Sequence, residues 1–268
     1  MIKRFSLLVI LLVLMMSVVS LPILSSAQGL INNYLPMIFK TFDWHSTFGL
    51  ELHNINTETL NRAKEVNNSW LRYNALLWSE YQPDNASQFI RNTDLENELI
   101  AANQSGQEVI LIVRSTPTWA QLVANSYCGP IKQEALDEFG DFMQTLVETY
   151  SQLPYDVKYF ELWNEPEDSL KVDGGDAVYG CWGDSSDLYY GGEYYAEMLK
   201  AIYPKMKTAN PDVQVVLGGL LLDCDPREDV GVTCNSEEGQ RFSNFFEGIL
   251  LNNAGNYFDI VNYHGYAY

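Results

Sequence analysis

A chain of 268 residues, 47% of them hydrophobic, can bury a large core, which excludes a disordered polypeptide. Its 35 acidic against 16 basic residues give a formal charge of −19. Such a surface repels nucleic-acid phosphates and anionic lipid, so no nucleic-acid partner is expected and a neutral or cationic ligand is favoured.

The first segment carries an export pattern. Lys3 and Arg4 precede an almost wholly apolar run from Phe5 to Leu24, and Ser25-Ser26-Ala27 offers small residues at its exit. The run is long enough to span a bilayer, but Pro22 and the small-residue exit favour cleavage over a retained anchor. The expectation is a signal peptide over 1–27, a linker over 28–40 and a folded domain over 41–268. The mature protein is then expected outside the cell, without stable membrane association.

Short apolar runs follow at 48–52 ("FGLEL"), 69–78, 108–114 ("EVILIVR"), 157–163 ("VKYFELW"), 213–222 and 258–263 ("FDIVNY"). Several are continuous rather than alternating, as parallel strands covered on both faces require. Between them lie amphipathic stretches. Ala135, Phe139, Phe142, Met143, Leu146, Val147 and Tyr150 recur at helical spacing, and 193–211 and 241–253 behave likewise. Pro204 is expected to kink or divide the second of these helices.

Strands alternating with helices specify an α/β protein with a parallel sheet. A doubly wound dinucleotide fold would place GxGxxG after its first strand, and neither that motif nor a P-loop occurs. Polar and aromatic residues instead gather at the C-terminal ends of the runs: Trp78, Trp119, Asn164, Glu165, Asp223 and His264. That is the active-site face of a (β/α)₈ TIM barrel. Six strands are present where a barrel needs eight, so the expected barrel is incomplete.

Export makes the cysteines readable. Cys128, Cys181, Cys224 and Cys234 allow three pairings; Cys224 with Cys234 suits a local loop staple, which leaves Cys128 with Cys181. Zinc is the competing reading, but there is no CxxC or HxxxH spacing, and His45, His53 and His264 are scattered. No metal and no cofactor are expected.

The fourth run, "FELWNEPE", resembles the signature of retaining glycoside hydrolases built on (β/α)₈ barrels, in which Asn-Glu ends strand four. "WLRYNALLWSEYQP", "RSTPTWA" and "FDIVNYHGYAY" resemble the second, third and sixth strands of the same proteins, in the same succession. The resemblance is to glycoside hydrolase family 39, the β-xylosidase-like group. It implies hydrolysis of β-glycosidic bonds in a neutral carbohydrate, with Glu165 as acid/base. Asn164 would bond the hydroxyl next to the reacting carbon, while His264 and Tyr266 face the sugar and Trp119 offers a stacking ring. Arg72 has two compatible readings, a buried ion-pair partner or a residue that orients the nucleophile. His264 is either a structural residue or a substrate contact, and the "HGYAY" match favours contact. The 167–192 loop exceeds an ordinary connection and reads as functional.

Retaining hydrolysis needs a second carboxylate about 5–5.5 Å from the first. Glu161 shares the parity of Glu165 but lies roughly 13 Å deeper at ~3.3 Å per residue, so it reads as a satisfied polar group near Arg72. Glu51, Glu80 and Asp223 are weaker candidates. In the family the nucleophile is a Glu ending strand seven, which is expected beyond Tyr268. A truncated sequence is the first explanation. A carbohydrate-binding relative without catalysis, on the same scaffold, is the second.

Overall fold

The computed structural model describes residues 48–172, 179–222 and 241–265. The expected signal peptide and linker, the start of the domain, Asp223, Cys224, Cys234 and Tyr266 lie outside the described residues.

Six strands form one sheet: β1 (Gly49–Leu52), β2 (Trp70–Leu77), β3 (Glu108–Arg114), β4 (Tyr159–Asn164), β5 (Gln214–Leu222) and β6 (Tyr263–Gly265). All neighbours are parallel and the order is β1-β2-β3-β4-β5-β6. The crossovers carry α1 (Thr57–Glu65), α2 (Thr93–Gln104), α3 (Leu136–Tyr150), α4 (Gly192–Ala209) and α5 (Arg241–Leu251). These are six consecutive strands of a (β/α) barrel with the five helices that connect them. Continuous apolar strands are dictated by this layering, because helices cover one face and the barrel interior fills the other.

The first two of these helices, α1 and α2, begin where side chains satisfy their first N–H groups. Asn56 accepts from the backbone of Glu58 and Thr59, and the Thr59 hydroxyl accepts from the backbone of Asn56 in return. Asn92 does the same for Asp94 and Leu95 at the start of α2. On α3, the periodic residues Phe139, Phe142, Met143, Leu146, Val147 and Tyr150 are all buried, as their spacing predicts. Among the described residues, no helix is long and apolar enough to cross a membrane.

Two expectations are corrected. Pro204 does not divide its helix: α4 runs unbroken from Gly192 to Ala209. Proline removes one helical donor, but Met198, Leu199, Ile202 and Met206 bury one continuous face on both sides of it. The sixth strand is not 258–263 but Tyr263–Gly265, paired with Leu220–Leu222; before it, Asp259 to Asn262 make isolated backbone bonds to β5, with one bridge of Ile260 to Val216. Asp259 is the cause. Its carboxylate accepts the backbone N–H of Val215, taking the place of a main-chain acceptor, and is itself held by Lys207 and the Tyr203 hydroxyl.

Candidate active site

The end of β4 is built against backbone preference. Trp163 has φ 66° and Glu165 φ 50°, both in the left-handed region that non-glycine residues avoid. Surrounding contacts hold each one there. The fully buried Trp163 donates its indole N–H to the Cys128 carbonyl (3.1 Å) and packs edge-on against Phe139 and Trp182. Glu165 donates its backbone N–H to the Gly219 carbonyl across the sheet (2.9 Å).

Two glycines on β5 make this possible. A Cβ on Gly218 would sit 2.4 Å from the Leu162 carbonyl oxygen, and one on Gly219 would sit 2.2 Å from Nε2 of His264. The His264 imidazole therefore lies against bare backbone, where Nδ1 meets Oε1 of Glu165 at 2.8 Å. Glu165 is only 7% exposed. A carboxyl and an imidazole at this distance share a proton, with donor and acceptor set by the tautomer.

Beneath this pair, Arg72 joins three residues. Its guanidinium donates to both oxygens of Glu161 (2.9 and 2.6 Å) and to Oδ1 of Asn164 (2.7 Å), and its third nitrogen pairs with Glu51 (2.8 Å). Burial pulls the Arg72 pKa down, but Glu161 and Glu51 outweigh it and the net shift is upward. Glu161 is fully buried and also accepts the backbone N–H of Gly219 (2.9 Å). It is the satisfied polar group beside Arg72 that its depth predicts. Because Asn164 accepts through Oδ1, its amide nitrogen is the end presented as a donor elsewhere.

The structure brings Glu165, Asn164 and His264 together at the end of β4 and on β6, with Arg72, from the first part of β2, beneath them. His264 reaches Glu165 itself, a contact its sequence reading did not contain. Trp119 stands apart: its indole N–H donates to the Gln82 carbonyl (2.7 Å) and its ring meets Trp78 edge-on, within the loops after β2 and β3. Glu51, weighed as a carboxylate for catalysis, is engaged by Arg72. Cys128 and Cys181 form a disulfide with Cα atoms 5.1 Å apart, tying the loop after β3 to the loop after β4.

Sequence reasoning missed two features. Glycine in a strand interior signals close backbone approach, so Gly218-Gly219 was the available sign of the notch at β4. The buried Glu167 carboxylate accepts the Leu221 N–H, locking the turn after Glu165 to β5. Nothing in its sequence context marked it. Among the described residues, no group of three or more His, Cys, Asp or Glu is placed to hold a metal ion.

No protein-family model matches this chain, and no curated protein matches it either. Solved structures do match in fold. A family 39 glycoside hydrolase from the gut symbiont Bacteroides cellulosilyticus WH2 superposes with a TM-score of 0.55 at 15% identity, covering 81% of this chain and 37% of that one. A monomeric β-xylosidase from Caulobacter crescentus CB15 gives 0.54 at 15%, covering 84% and 42%. The catalytic domain of GH30 xylanase C from Talaromyces cellulolyticus gives 0.54 at 11%, covering 82% and 52%. The present chain thus spans between 37% and 52% of the length of these structures.

Proposed function

We propose that this chain carries the acid/base half of a retaining glycoside hydrolase acting on β-linked neutral saccharides. The observation that carries the reading is the Glu165–His264 contact of 2.8 Å at the end of β4, beside an Asn164 oriented by Arg72. The fold likeness to glycoside hydrolases supports it.

In this reading Glu165 gives its proton to the glycosidic oxygen as the bond to the sugar breaks, and the second carboxylate traps the sugar as a glycosyl-enzyme. Glu165, now ionised, takes a proton from the water that releases the sugar. In its Nδ1–H tautomer His264 donates to Glu165 and steadies the carboxylate left after the first transfer. The amide nitrogen of Asn164 donates to the hydroxyl beside the reacting carbon. The second carboxylate is assigned to residues beyond those described here, since Glu161 and Glu51 are both engaged by Arg72. Secretion belongs to the same proposal, as the export pattern of 1–27 suits an enzyme that meets polymeric sugars outside the cell.

Glu165→Gln in the active protein tests the assignment. General acid catalysis contributes about 10²–10⁴-fold, so turnover should fall by that order on substrates with poor leaving groups. It should fall much less on activated aryl glycosides, whose leaving groups need little protonation. Equal losses on both would remove Glu165 from the role. Saccharide binding with no hydrolysis of either substrate by the unsubstituted protein would favour a binding protein on this scaffold.

A further inference from the structure

The described residues also form a half-open pocket of about 530 Å³ between the loop after β3 and the loop after β4. None of Glu165, Asn164, Arg72 or His264 lines it. Its volume falls in the range of about 300–1,000 Å³ typical of small-molecule sites. The disulfide between Cys128 and Cys181 joins the two loops that form it.

Its lining has a definite chemistry. Trp182 and Tyr194 bring aromatic rings and Leu122 an aliphatic side chain, while Asp184, Ser185 and Asp187 bring polar groups. Neither lysine nor arginine is among the lining residues, and two carboxylates are, so an anionic ligand is disfavoured. Trp182 is 3% exposed, yet its indole N–H has no acceptor among the described residues. Asp184 and Asp187 already accept from the loop's own Ser186, Tyr189 and Gly191 N–H groups, and their remaining lone pairs, with the rings and the alkyl group, suit a molecule with C–H faces and a rim of hydroxyls.

We propose that this cavity is a second saccharide site, distinct from the one at Glu165, which holds a neutral sugar unit between Leu122 and Trp182 with its hydroxyls on Asp184 and Asp187. The choice of saccharide among neutral polyhydroxylated molecules rests on the glycoside-hydrolase reading. The cavity itself does not. A site here would retain a polymeric substrate while the bond at Glu165 is cut.

Calorimetric titration of the full chain carrying Glu165→Gln, with xylobiose, cellobiose and mannobiose, tests this, with choline as a cationic control. At least one disaccharide should bind, with Kd on the order of millimolar. Leu122→Arg, which places a long side chain across the cavity, should weaken binding at least tenfold, and Trp182→Phe should weaken it too. The component of binding lost in Leu122→Arg should remain in Asn164→Ala, which acts on the site at Glu165. Leu122 is 50% exposed, so Leu122→Arg should melt with the parent, which separates blocked binding from lost folding if Trp182→Phe is unstable. The proposal is overturned if no disaccharide binds, if choline binds in their place, or if binding survives Leu122→Arg and disappears with Asn164→Ala. Should Glu165→Gln cause the expected loss of hydrolysis while the cavity variants change nothing, the hydrolase reading stands and the second site falls. If the cavity binds sugar and Glu165→Gln leaves hydrolysis unaltered, the reverse holds.

Discussion

Gly219 carries no side chain because His264 occupies the space where one would begin. A methyl group there would lie 2.2 Å from Nε2 of the imidazole, so the ring must rotate away from Glu165. Gly219→Ala is therefore expected to cost about 1–3 kcal/mol as an overpacked site and to lower activity on poor leaving groups as His264 leaves Glu165. Urea unfolding and turnover measured together check this. Unchanged values for both would show that the ring is not confined by β5. At this scale the sequence spoke unevenly. The place of Asn164 and Glu165 at the end of β4 was legible, because the apolar run stops at them. The partnership of His264 with Glu165 was not, since it depends on a 99-residue separation in sequence and on which strand ends lie side by side. The role of Glu51 was hidden for a related reason, as Arg72 has more donors than any one carboxylate can use.

The loops after β3 and β4 act as one element because they are joined three ways. The disulfide links Cys128 to Cys181, the Cys181 N–H donates to the Cys128 carbonyl (3.0 Å), and Ser126 donates its hydroxyl to the Lys171 carbonyl (2.7 Å). Closing a loop between residues 53 apart contributes up to about 4 kcal/mol by its effect on the unfolded chain. The paired change Cys128→Ser with Cys181→Ser is expected to lower Tm and to weaken ligand binding between these loops more than catalysis at Glu165. Calorimetry and a hydrolysis assay on the same sample separate the two. Equal damage to both would mean that the disulfide also fixes the end of β4. Helices were legible at this scale, since their apolar period is local. The end of the sheet was less so: the apolar run at 258–263 looked like a strand, but Asp259 spends its side chain where a strand would use backbone.

Across the whole sheet, β1 and β6 are the terminal strands among the described residues, and each bonds to one neighbour only. Open parallel edges invite pairing with another chain. A polypeptide limited to residues 28–268 is expected to run by light scattering as a dimer or larger species, increasingly so at higher concentration. A stable monomer would show that other segments cover those edges. The parallel architecture itself was legible from continuous apolar runs and helical spacers, and the strand order follows the chain order, as consecutive units usually lie side by side.

That order has a consequence for how the molecule is made. Every strand bonds only to those synthesised immediately before and after it, so the sheet can grow one unit at a time as the chain emerges, domains being built N-terminal part first. Glu165 is held once β5 docks and the Gly219 carbonyl accepts its backbone N–H, but its imidazole partner arrives one strand later, on β6. Until β6 settles beside β5, the carboxyl at the tip of β4 has no His264 to share a proton with. The Glu165–His264 contact thus forms only after the ion-pair framework around Arg72 that supports it.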